Sequence, residues 1–161
     1  MSFEIRVGLG HDTHRIEAGG PLRLGGLDVA VDFHLAGHSD ADVLLHAVTD
    51  SLLGAANLGD IGELFPDDDP ANRGKDSAVM LLAAQQRVTQ AGWKIMNIDC
   101  VVLAERPRLL PLKGAMCQRL AEILQLEPQR IAIKGKTGEK TGDVGSGKIM
   151  QAICTCLLFQ P

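Results

Sequence analysis

The stretch that decides the fold is residues 36–50, AGHSDADVLLHAVTD. Ser39 followed by Asp42 resembles a capping box, which predicts that a helix begins there. The residues that follow are too apolar for a surface helix: Val43, Leu44, Leu45, Ala47, Val48, Leu52 and Leu53. At about 100° per residue, one face of this helix carries the polar residues Asp42, His46, Thr49 and Asp50. Because buried polar groups need partners, this polar stripe, with His38 and Ser39 at its mouth, predicts a functional site rather than a solvated face.

The composition is that of one domain spanning residues 1–161. A chain of 161 residues, 45% of them apolar, can bury roughly 70% of the surface of its unfolded state. The net charge of −4 argues against a nucleic-acid partner, which would usually require a basic patch. No signal-like or membrane-length apolar run opens the sequence, so we expect no membrane partner.

The cysteines predict a reducing compartment, such as a bacterial cytoplasm or a plastid stroma. Cys100, Cys117, Cys154 and Cys156 form no CxxC motif. Cys154 and Cys156 alternate within a strand-like run, which is typical of buried thiols and not of a disulfide framework.

The order of predicted elements indicates an α/β fold, a single-domain mixed sheet with helices packed on one face. Apolar and β-branched runs predict strands over residues 3–9, 22–24, 27–33, 95–104, 130–136 and 149–159, with Gly8-Leu9-Gly10 closing the first. Helices are predicted from Ser39 to about residue 57, over 77–91 with Asp76 or Ser77 as its cap, and over 111–126 from Pro111. Residues 60–70 are predicted to be a loop.

Asp12 and His14 are two residues apart, so they point to the same side of an extended chain. Together with His46 they make a ligand set of one carboxylate and two imidazoles. Three protein ligands leave a fourth tetrahedral position open, which is the arrangement of catalytic zinc sites. Because this spacing also arises by chance, core or capping roles remain the alternative.

Residues 142–148, GDVGSGK, match the beginning of a P-loop. A P-loop continues with Ser or Thr and a helix, whereas Ile149 and a strand-like run follow here. We therefore reject a nucleoside-triphosphatase. The glycine-rich turn, residues 135–147, could still cradle phosphate through free amides, the Thr137 hydroxyl and its lysines.

Six motifs together resemble the 2-C-methyl-D-erythritol 2,4-cyclodiphosphate synthase family over nearly the whole chain. They are residues 10–14 (GHDTH), 38–46 (HSDADVLLH), 58–62 (LGDIG), 65–67 (FPD), 107–111 (PRLLP) and 134–140 (KGKTGEK). The resemblance implies a homotrimer with active sites between neighbouring subunits. It also implies intramolecular phosphoryl transfer, in which the 2-phosphate of a cytidine diphosphate substrate attacks the β-phosphorus and expels CMP.

The resemblance further implies a role for each residue of the site. The metal ligands would be Asp12, His14 and His46 for Zn2+, and Glu139 for a second divalent cation, Mg2+ or Mn2+. The substrate would contact Asp12, Thr13, His14, His38 and Ser39. Its methylerythritol part would be held by Asp60, Ile61 and Gly62. A flap beside it would consist of Phe65, Pro66, Asp67, Asp68 and Asp69. Cytidine and diphosphate would contact Ala104, Glu105, Arg106, Pro107, Arg108, Leu109, Leu110, Lys136, Thr137, Gly138 and Glu139. His38 and Thr137 would be catalytic, stabilising the transition state.

The sequence also departs from the family pattern. Ala41 replaces a usual glycine, and the other departures, His11, Asp143, Ser146 and Lys148, concern peripheral contacts and the threefold channel. Two other functions remain open at this point. One is a zinc-dependent hydrolase of a nucleotide diphosphate ester with Asp60 as the base, and the other is a non-catalytic nucleotide-binding trimer.

Overall fold

A five-stranded mixed sheet forms the centre of the computed structural model, which describes residues 4–160. The strands are β1 (Glu4–Ala18), β2 (Leu22–Leu24), β3 (Leu27–Val29), β4 (Phe33–Leu35), β5 (Lys94–Leu103), β6 (Ile131–Lys136) and β7 (Ile149–Gln160). The order in the sheet is β4-β1-β7-β5-β6, in which β5 and β6 are parallel and the other pairs are antiparallel. β2 and β3 form a separate two-stranded sheet.

The larger helices all pack on one face of this sheet. The helices are α1 (Val43–Ala56), α2 (Ile61–Leu64), α3 (Ser77–Gln90), α4 (Lys113–Leu124) and α5 (Gly142–Gly145), with 3-10 turns at Pro70–Asn72 and Pro128–Arg130. α1 lies on β1 and β7, α4 lies on β6, and α3 packs against both helices. The predicted single-domain α/β architecture is therefore confirmed.

The first strand is longer than predicted, because Gly8 and Gly10 do not end it. β1 continues through both glycines to Ala18, so the end predicted for the strand over residues 3–9 was wrong. Phe3, the first residue of that prediction, lies outside the described residues. A Cβ atom at either glycine would overlap a backbone carbonyl oxygen of α1. The glycines therefore let the helix approach the strand closely.

Helix α1 begins later than the capping-box pattern predicted. Its N-cap is Asp42, whose carboxylate accepts a hydrogen bond from the Leu45 amide at 3.1 Å. Ser39 lies before the helix, and its hydroxyl oxygen accepts from the Ala41 amide at 3.1 Å. The predicted start at Ser39 was therefore wrong, and Ser39 belongs to the loop that leads into the helix.

Other predicted boundaries also differ. The strand predicted over residues 27–33 is divided into β3 and β4, residues 60–70 contain α2 and the start of a 3-10 turn, and α4 begins two residues after Pro111. Asp76 is the cap of α3, which decides between the two predicted caps. In the glycine-rich turn, Lys148 is followed by β7 and not by a helix, so the rejection of a P-loop is confirmed.

The two faces of the sheet differ in what covers them. The helix-facing side holds the core, in which Leu44, Leu45 and Leu52 of α1 are fully buried. On the opposite face, β1 exposes a row of apolar side chains, with Ile5 54%, Val7 71% and Leu9 68% exposed. An exposed apolar row of this kind is typical of an interaction surface.

Candidate active site

One atom each from Asp12, His14 and His46 converges on a single point beside the N-terminal half of α1. Asp12 Oδ2 lies 2.9 Å from His14 Nε2 and 3.0 Å from His46 Nδ1. The two nitrogens are 3.1 Å apart. The set arises because β1 stays extended through residues 12–14 while α1 lies against it. Within residues 4–160, this is the one group of His, Cys, Asp or Glu side chains close enough together to hold a metal ion.

The second nitrogen of each imidazole is already engaged. His14 Nδ1 lies 2.7 Å from the Ala36 carbonyl oxygen, which can only accept, so this nitrogen carries the proton. His46 Nε2 lies 2.8 Å from the Ser77 hydroxyl. Both rings can therefore direct a lone pair at the shared point, as metal-binding histidines do. The donor set and its geometry fit a divalent cation.

Burial and the neighbouring charges act in opposite directions on Asp12 and His14. Burial alone would raise the pKa of Asp12, but its contacts with the His14 and His46 imidazoles outweigh burial and hold this pKa well below its usual range. Burial alone would lower the pKa of His14, but the hydrogen bond to Asp12 outweighs it and raises this pKa. Without a metal, the site therefore favours a carboxylate beside a protonated imidazole.

The four residues of the predicted polar stripe on α1 do not share one role. Asp42 accepts from the Gly25 amide at 3.0 Å and from the Gly26 amide at 2.7 Å, and Thr49 donates to the Leu45 carbonyl at 2.8 Å. Asp50 accepts from the Ile61 amide at 2.8 Å. Of the four residues in the stripe, His46 alone belongs to the metal-ligand set. The functional interpretation of the other three was therefore wrong, since their polar atoms satisfy the backbone.

The three ligand side chains open into a cavity of about 520 Å3. The predicted site residues that line it are Asp12, His14, His38, Ser39, His46, Ile61, Gly62, Phe65 and Asp67. Sequence reasoning missed five further lining residues, which are Arg15, Ala36, Gly37, Asn72 and Met80. Ala36 and Gly37 belong to the stretch of residues 36–50, and Arg15 directly follows the motif at residues 10–14, whereas no sequence signal marked Asn72 or Met80.

The predicted flap is tethered beside this cavity. The Asn72 amide group donates to the Pro66 carbonyl at 2.9 Å, and Asp69 caps the following 3-10 turn through the Ala71 amide. Asp67 lies 3.6 Å from His38, whose side chain is 67% exposed. Asp68 makes no hydrogen bond or ion pair among those found in residues 4–160. The flap therefore meets His38 at the mouth of the cavity.

A second cavity, of about 310 Å3, lies where β5 and β6 end. Its lining includes the predicted nucleotide residues Ala104, Glu105, Pro107, Arg108, Leu109, Leu110, Lys136 and Thr137, and also Gly135 and Lys113. Arg108, Lys113 and Lys136 place three cations around it. Arg106 is the exception, because its guanidinium stacks on the Phe33 ring with its central carbon 5.2 Å from the ring centroid. The two cavities share no lining residue.

Several predicted site residues stand apart from both cavities. The Thr13 hydroxyl lies on the opposite face of the sheet, where Gln151 donates to it at 3.2 Å. The Asp60 carboxylate caps α2 through the Glu63 amide at 2.8 Å. Glu139 accepts from the Thr137 hydroxyl at 3.1 Å, and within residues 4–160 it belongs to no group of three or more potential metal ligands. The close approach of Gly145 explains the glycine at 138.

A mixed α/β domain with a convergent Asp-His-His set at the base of a cavity is typical of an enzyme of small-molecule substrates, and this set could hold a divalent cation. A model of the YgbB family matches residues 5–159. The 2-C-methyl-D-erythritol 2,4-cyclodiphosphate synthase of Gemmatimonas aurantiaca is 51% identical over 159 residues, which cover 99% of this chain and 96% of the relative. The chain therefore belongs to the YgbB family, many of whose members are 2-C-methyl-D-erythritol 2,4-cyclodiphosphate synthases.

Solved structures agree with this assignment. A 2C-methyl-D-erythritol-2,4-cyclodiphosphate synthase in a CDP-bound form has a TM-score of 0.88 and 40% identity, covering 95% of this chain and 99% of that chain. The bifunctional IspDF from Campylobacter jejuni has a TM-score of 0.96 and 40% identity. The match covers 99% of this chain but 43% of the bifunctional one.

Ala41, where the resemblance led us to expect glycine, adopts a backbone conformation that favours glycine. Its φ of 55° lies in the left-handed region, which an alanine adopts at a cost of about 1–2 kcal/mol. The side chain is 1% exposed. The departure changes no ligand atom of the metal site, and the close packing around Ala41 holds its backbone in place.

Proposed function

We propose that this chain converts 4-diphosphocytidyl-2-C-methyl-D-erythritol 2-phosphate to 2-C-methyl-D-erythritol 2,4-cyclodiphosphate and CMP, as a phosphorus-oxygen lyase of non-mevalonate isoprenoid biosynthesis. The observation that carries the proposal is the Asp12, His14 and His46 triangle at the base of the larger cavity. Ile61 and Gly62 line the same cavity and would hold the methylerythritol moiety. Whole-length relatives named for this reaction support the proposal.

The triangle also fits Zn2+. Bonds of about 2.0–2.1 Å would place ligand atoms roughly 3.3 Å apart in a tetrahedron, and the observed separations are 2.9–3.1 Å. A small expansion would therefore suffice, and the fourth position would face the cavity. Bound zinc would supply charge neutralisation at a phosphate oxygen of the substrate.

The residues of the chain would mainly position the reacting groups. The bond that forms joins the 2-phosphate oxygen to the β-phosphorus, and the bond that breaks links that phosphorus to the oxygen of departing CMP. The nucleophile is part of the substrate, so the protein needs none of its own. His38 at the cavity mouth would donate a hydrogen bond to a phosphoryl oxygen as charge shifts during transfer. The Thr137 hydroxyl would do the same once its proton turns from Glu139 to the substrate.

The smaller cavity would bind the nucleotide part. Ala104–Leu110 would surround cytidine, and a relative solved in a CDP-bound form supports a cytidine nucleotide as the ligand. Arg108, Lys113 and Lys136 would balance the phosphate charge. Glu139 would contribute to a second Mg2+ or Mn2+ site, with diphosphate oxygens as the remaining ligands, because carboxylate and phosphate oxygens suit these ions.

A homotrimer with sites between subunits would unite the two cavities. Within one chain they share no lining residue, and two strands, β7 and β5, separate β1 from β6. The exposed apolar row at Ile5, Val7 and Leu9, with Ile153 beside it, offers a surface for neighbouring subunits. The metal half of one chain would then face the nucleotide half of the next.

The hydrolase alternative is not favoured. It requires a general base beside a metal-bound water, and Asp60 was its candidate. The Asp60 carboxylate instead caps α2, and Asp60 does not line the metal cavity.

The four cysteines are free thiols, and no helix within residues 4–160 could span a membrane. These thiols and the bacterial relatives support a proposed location in the bacterial cytoplasm.

Phosphorus NMR of the reaction products tests the proposed function. The protein would be incubated with the diphosphate substrate, zinc and magnesium, with the His46→Ala variant as control. We expect equal amounts of cyclic diphosphate and CMP from the wild type, and neither from the variant. Linear methylerythritol phosphates would instead indicate hydrolysis, and stoichiometric CMP binding without turnover would indicate a binding protein.

A further inference from the structure

The imidazole of His46 is connected to a partly buried carboxylate, that of Asp40, through one serine. His46 Nε2 lies 2.8 Å from Ser77 Oγ, and Ser77 is fully buried at the first position of α3. The Ser77 hydroxyl donates to Asp40 Oδ1, and the Ser77 amide donates to Asp40 Oδ2 at 3.1 Å. Asp76 caps α3, so the helix does not need the Ser77 hydroxyl as its cap.

The carboxylate fixes the direction of every hydrogen bond in this chain of contacts. An ionised carboxylate can only accept, so the proton of the Ser77 hydroxyl points to Asp40. A lone pair of Ser77 Oγ then faces His46 Nε2, and that nitrogen must carry the imidazole proton. The lone pair of the neutral ring is consequently on Nδ1, which faces Asp12 and His14.

We propose that Asp40 and Ser77 are positioning residues, which hold His46 in the tautomer and ring orientation that bind metal. This inference rests on the proposed metal site. His14 receives the equivalent support from the Ala36 carbonyl, a backbone group that substitution does not remove. For His46 the support comes from two side chains, so its contribution can be removed and measured.

Ser39 is the other hydroxyl near His46, and its geometry assigns it a different role. Its oxygen lies 3.1 Å from His46 Nε2, farther than that of Ser77, and it accepts from the Ala41 amide. With the single Nε2 proton directed to Ser77, the Ser39 hydroxyl keeps its own proton for a substrate oxygen in the cavity that it lines.

The Asp40→Asn variant tests the direction of the hydrogen bonds at almost unchanged volume. Its NH2 group would face either the Ser77 hydroxyl or the Ser77 amide. In the first case the hydroxyl turns toward His46 and favours a proton on Nδ1, where metal would bind. In the second case two donors face each other. Either arrangement weakens the metal-binding form of the ring.

Zinc affinity, measured by competition with a chromophoric chelator, is the readout. We expect Ser77→Ala and Asp40→Asn each to weaken zinc binding by about 10–100-fold, the usual effect of losing an outer-shell partner. The visible spectrum of the cobalt(II)-substituted protein should also change, since ring orientation alters the ligand field. Ser51→Ala is the matched control, because Ser51 is a fully buried serine of α1 whose hydroxyl donates to the Val48 carbonyl. Its zinc affinity and cobalt spectrum should match those of the wild type.

The double variant distinguishes a serial connection from two separate effects. Because Asp40 acts through Ser77, adding Asp40→Asn to Ser77→Ala should weaken zinc binding no further. Additive losses would overturn the connection, as would wild-type zinc affinity in both single variants. If Ser77→Ala does not fold, the zinc affinity and the cobalt(II) spectrum of Asp40→Asn alone test whether these residues position His46. If the wild-type protein binds no zinc, the proposed metal site itself is wrong. That result differs from one in which zinc binds normally to the wild type and equally well to both variants, which would rule out only the positioning role of Asp40 and Ser77.

Discussion

His14 Nδ1 lies 2.7 Å from the carbonyl oxygen of Ala36, and the next residue, Gly37, packs against the same imidazole. A Cβ atom at Gly37 would lie 3.0 Å from His14 Cε1 and 2.8 Å from the Ala41 Cβ atom. Both separations are shorter than normal carbon contacts. The absence of a side chain at Gly37 therefore permits the orientation of the His14 ring that faces Asp12.

Gly37→Ala should displace this ring and weaken zinc binding by about tenfold or more, the scale seen when a ligand loses its orienting contacts. Chelator competition measures the effect. Gly54→Ala is the matched control, since nothing lies within 4 Å of its added methyl group. It should leave zinc affinity unchanged and stabilise α1 by about 0.5–1 kcal/mol in thermal unfolding. Equal zinc affinities for the two variants would contradict the packing explanation.

Zinc affinity should rise with pH, because zinc and a proton compete for His14 Nε2. The hydrogen bond to Asp12 outweighs burial and raises the pKa of His14. Below that pKa, affinity should increase about tenfold per pH unit as one proton is released on binding. Calorimetry in buffers of different ionisation enthalpy measures that proton. A pH-independent affinity between pH 5.5 and 8 would contradict the assigned ligand.

The stability of the metal-free protein should fall as pH rises, whereas zinc affinity should rise. The raised pKa of His14 contributes stability that is fully present below about 6.5, the unfolded value, and is lost as pH rises through the folded pKa. The lowered pKa of Asp12 contributes stability that is fully present well above about 3.9, the unfolded value, and is lost progressively as pH falls below it. Thermal unfolding of the chelator-treated protein between pH 6 and 8 tests this. In His14→Gln the unfolding temperature should no longer fall between pH 6 and 8. If it falls as steeply as in the wild type, the pH dependence belongs to another group.

Two inactive variants should restore activity when they form mixed trimers. His46→Ala damages the metal half of the site and Thr137→Ala damages the nucleotide half. If these halves come from neighbouring chains, about a quarter of the interfaces in an equal, randomly assorted mixture pair two intact halves. Activity of the jointly refolded mixture should therefore approach that fraction of wild type.

Native mass spectrometry provides the control, because it shows whether mixed trimers have formed. Separately refolded variants, combined afterwards, should stay inactive unless subunits exchange. Mixed trimers without recovered activity would place each complete site within one chain.

The convergence of Asp12, His14 and His46 was predictable from the sequence because local geometry determines much of it. An extended chain places Asp12 and His14 on one side, and His46 is a polar residue in a buried helix. The same reasoning failed for Asp42 and Thr49, whose partners are backbone groups. The Gly25 and Gly26 amides that satisfy Asp42 lie in a distant turn, and no helical periodicity reveals them.

The length of β1 shows another limit of sequence reasoning. Gly8 and Gly10 suggested the end of a strand, because glycine is common in turns. Their role depends on α1 crossing the strand closely, a tertiary contact between distant segments. Ser77 was likewise considered only as one of two possible caps of α3, because its contact with His46 joins residues 31 apart in sequence.

Anomalous X-ray diffraction from zinc-loaded crystals, recorded on both sides of the zinc absorption edge, tests the metal site most directly. We predict one strong peak per chain, within bonding distance of Asp12 Oδ2, His14 Nε2 and His46 Nδ1, with its fourth position open to the cavity. The same crystals of His46→Ala should lack the peak while the fold is retained. A wild-type crystal with no zinc peak at these three atoms, or with zinc bound through other side chains, would contradict the assignment.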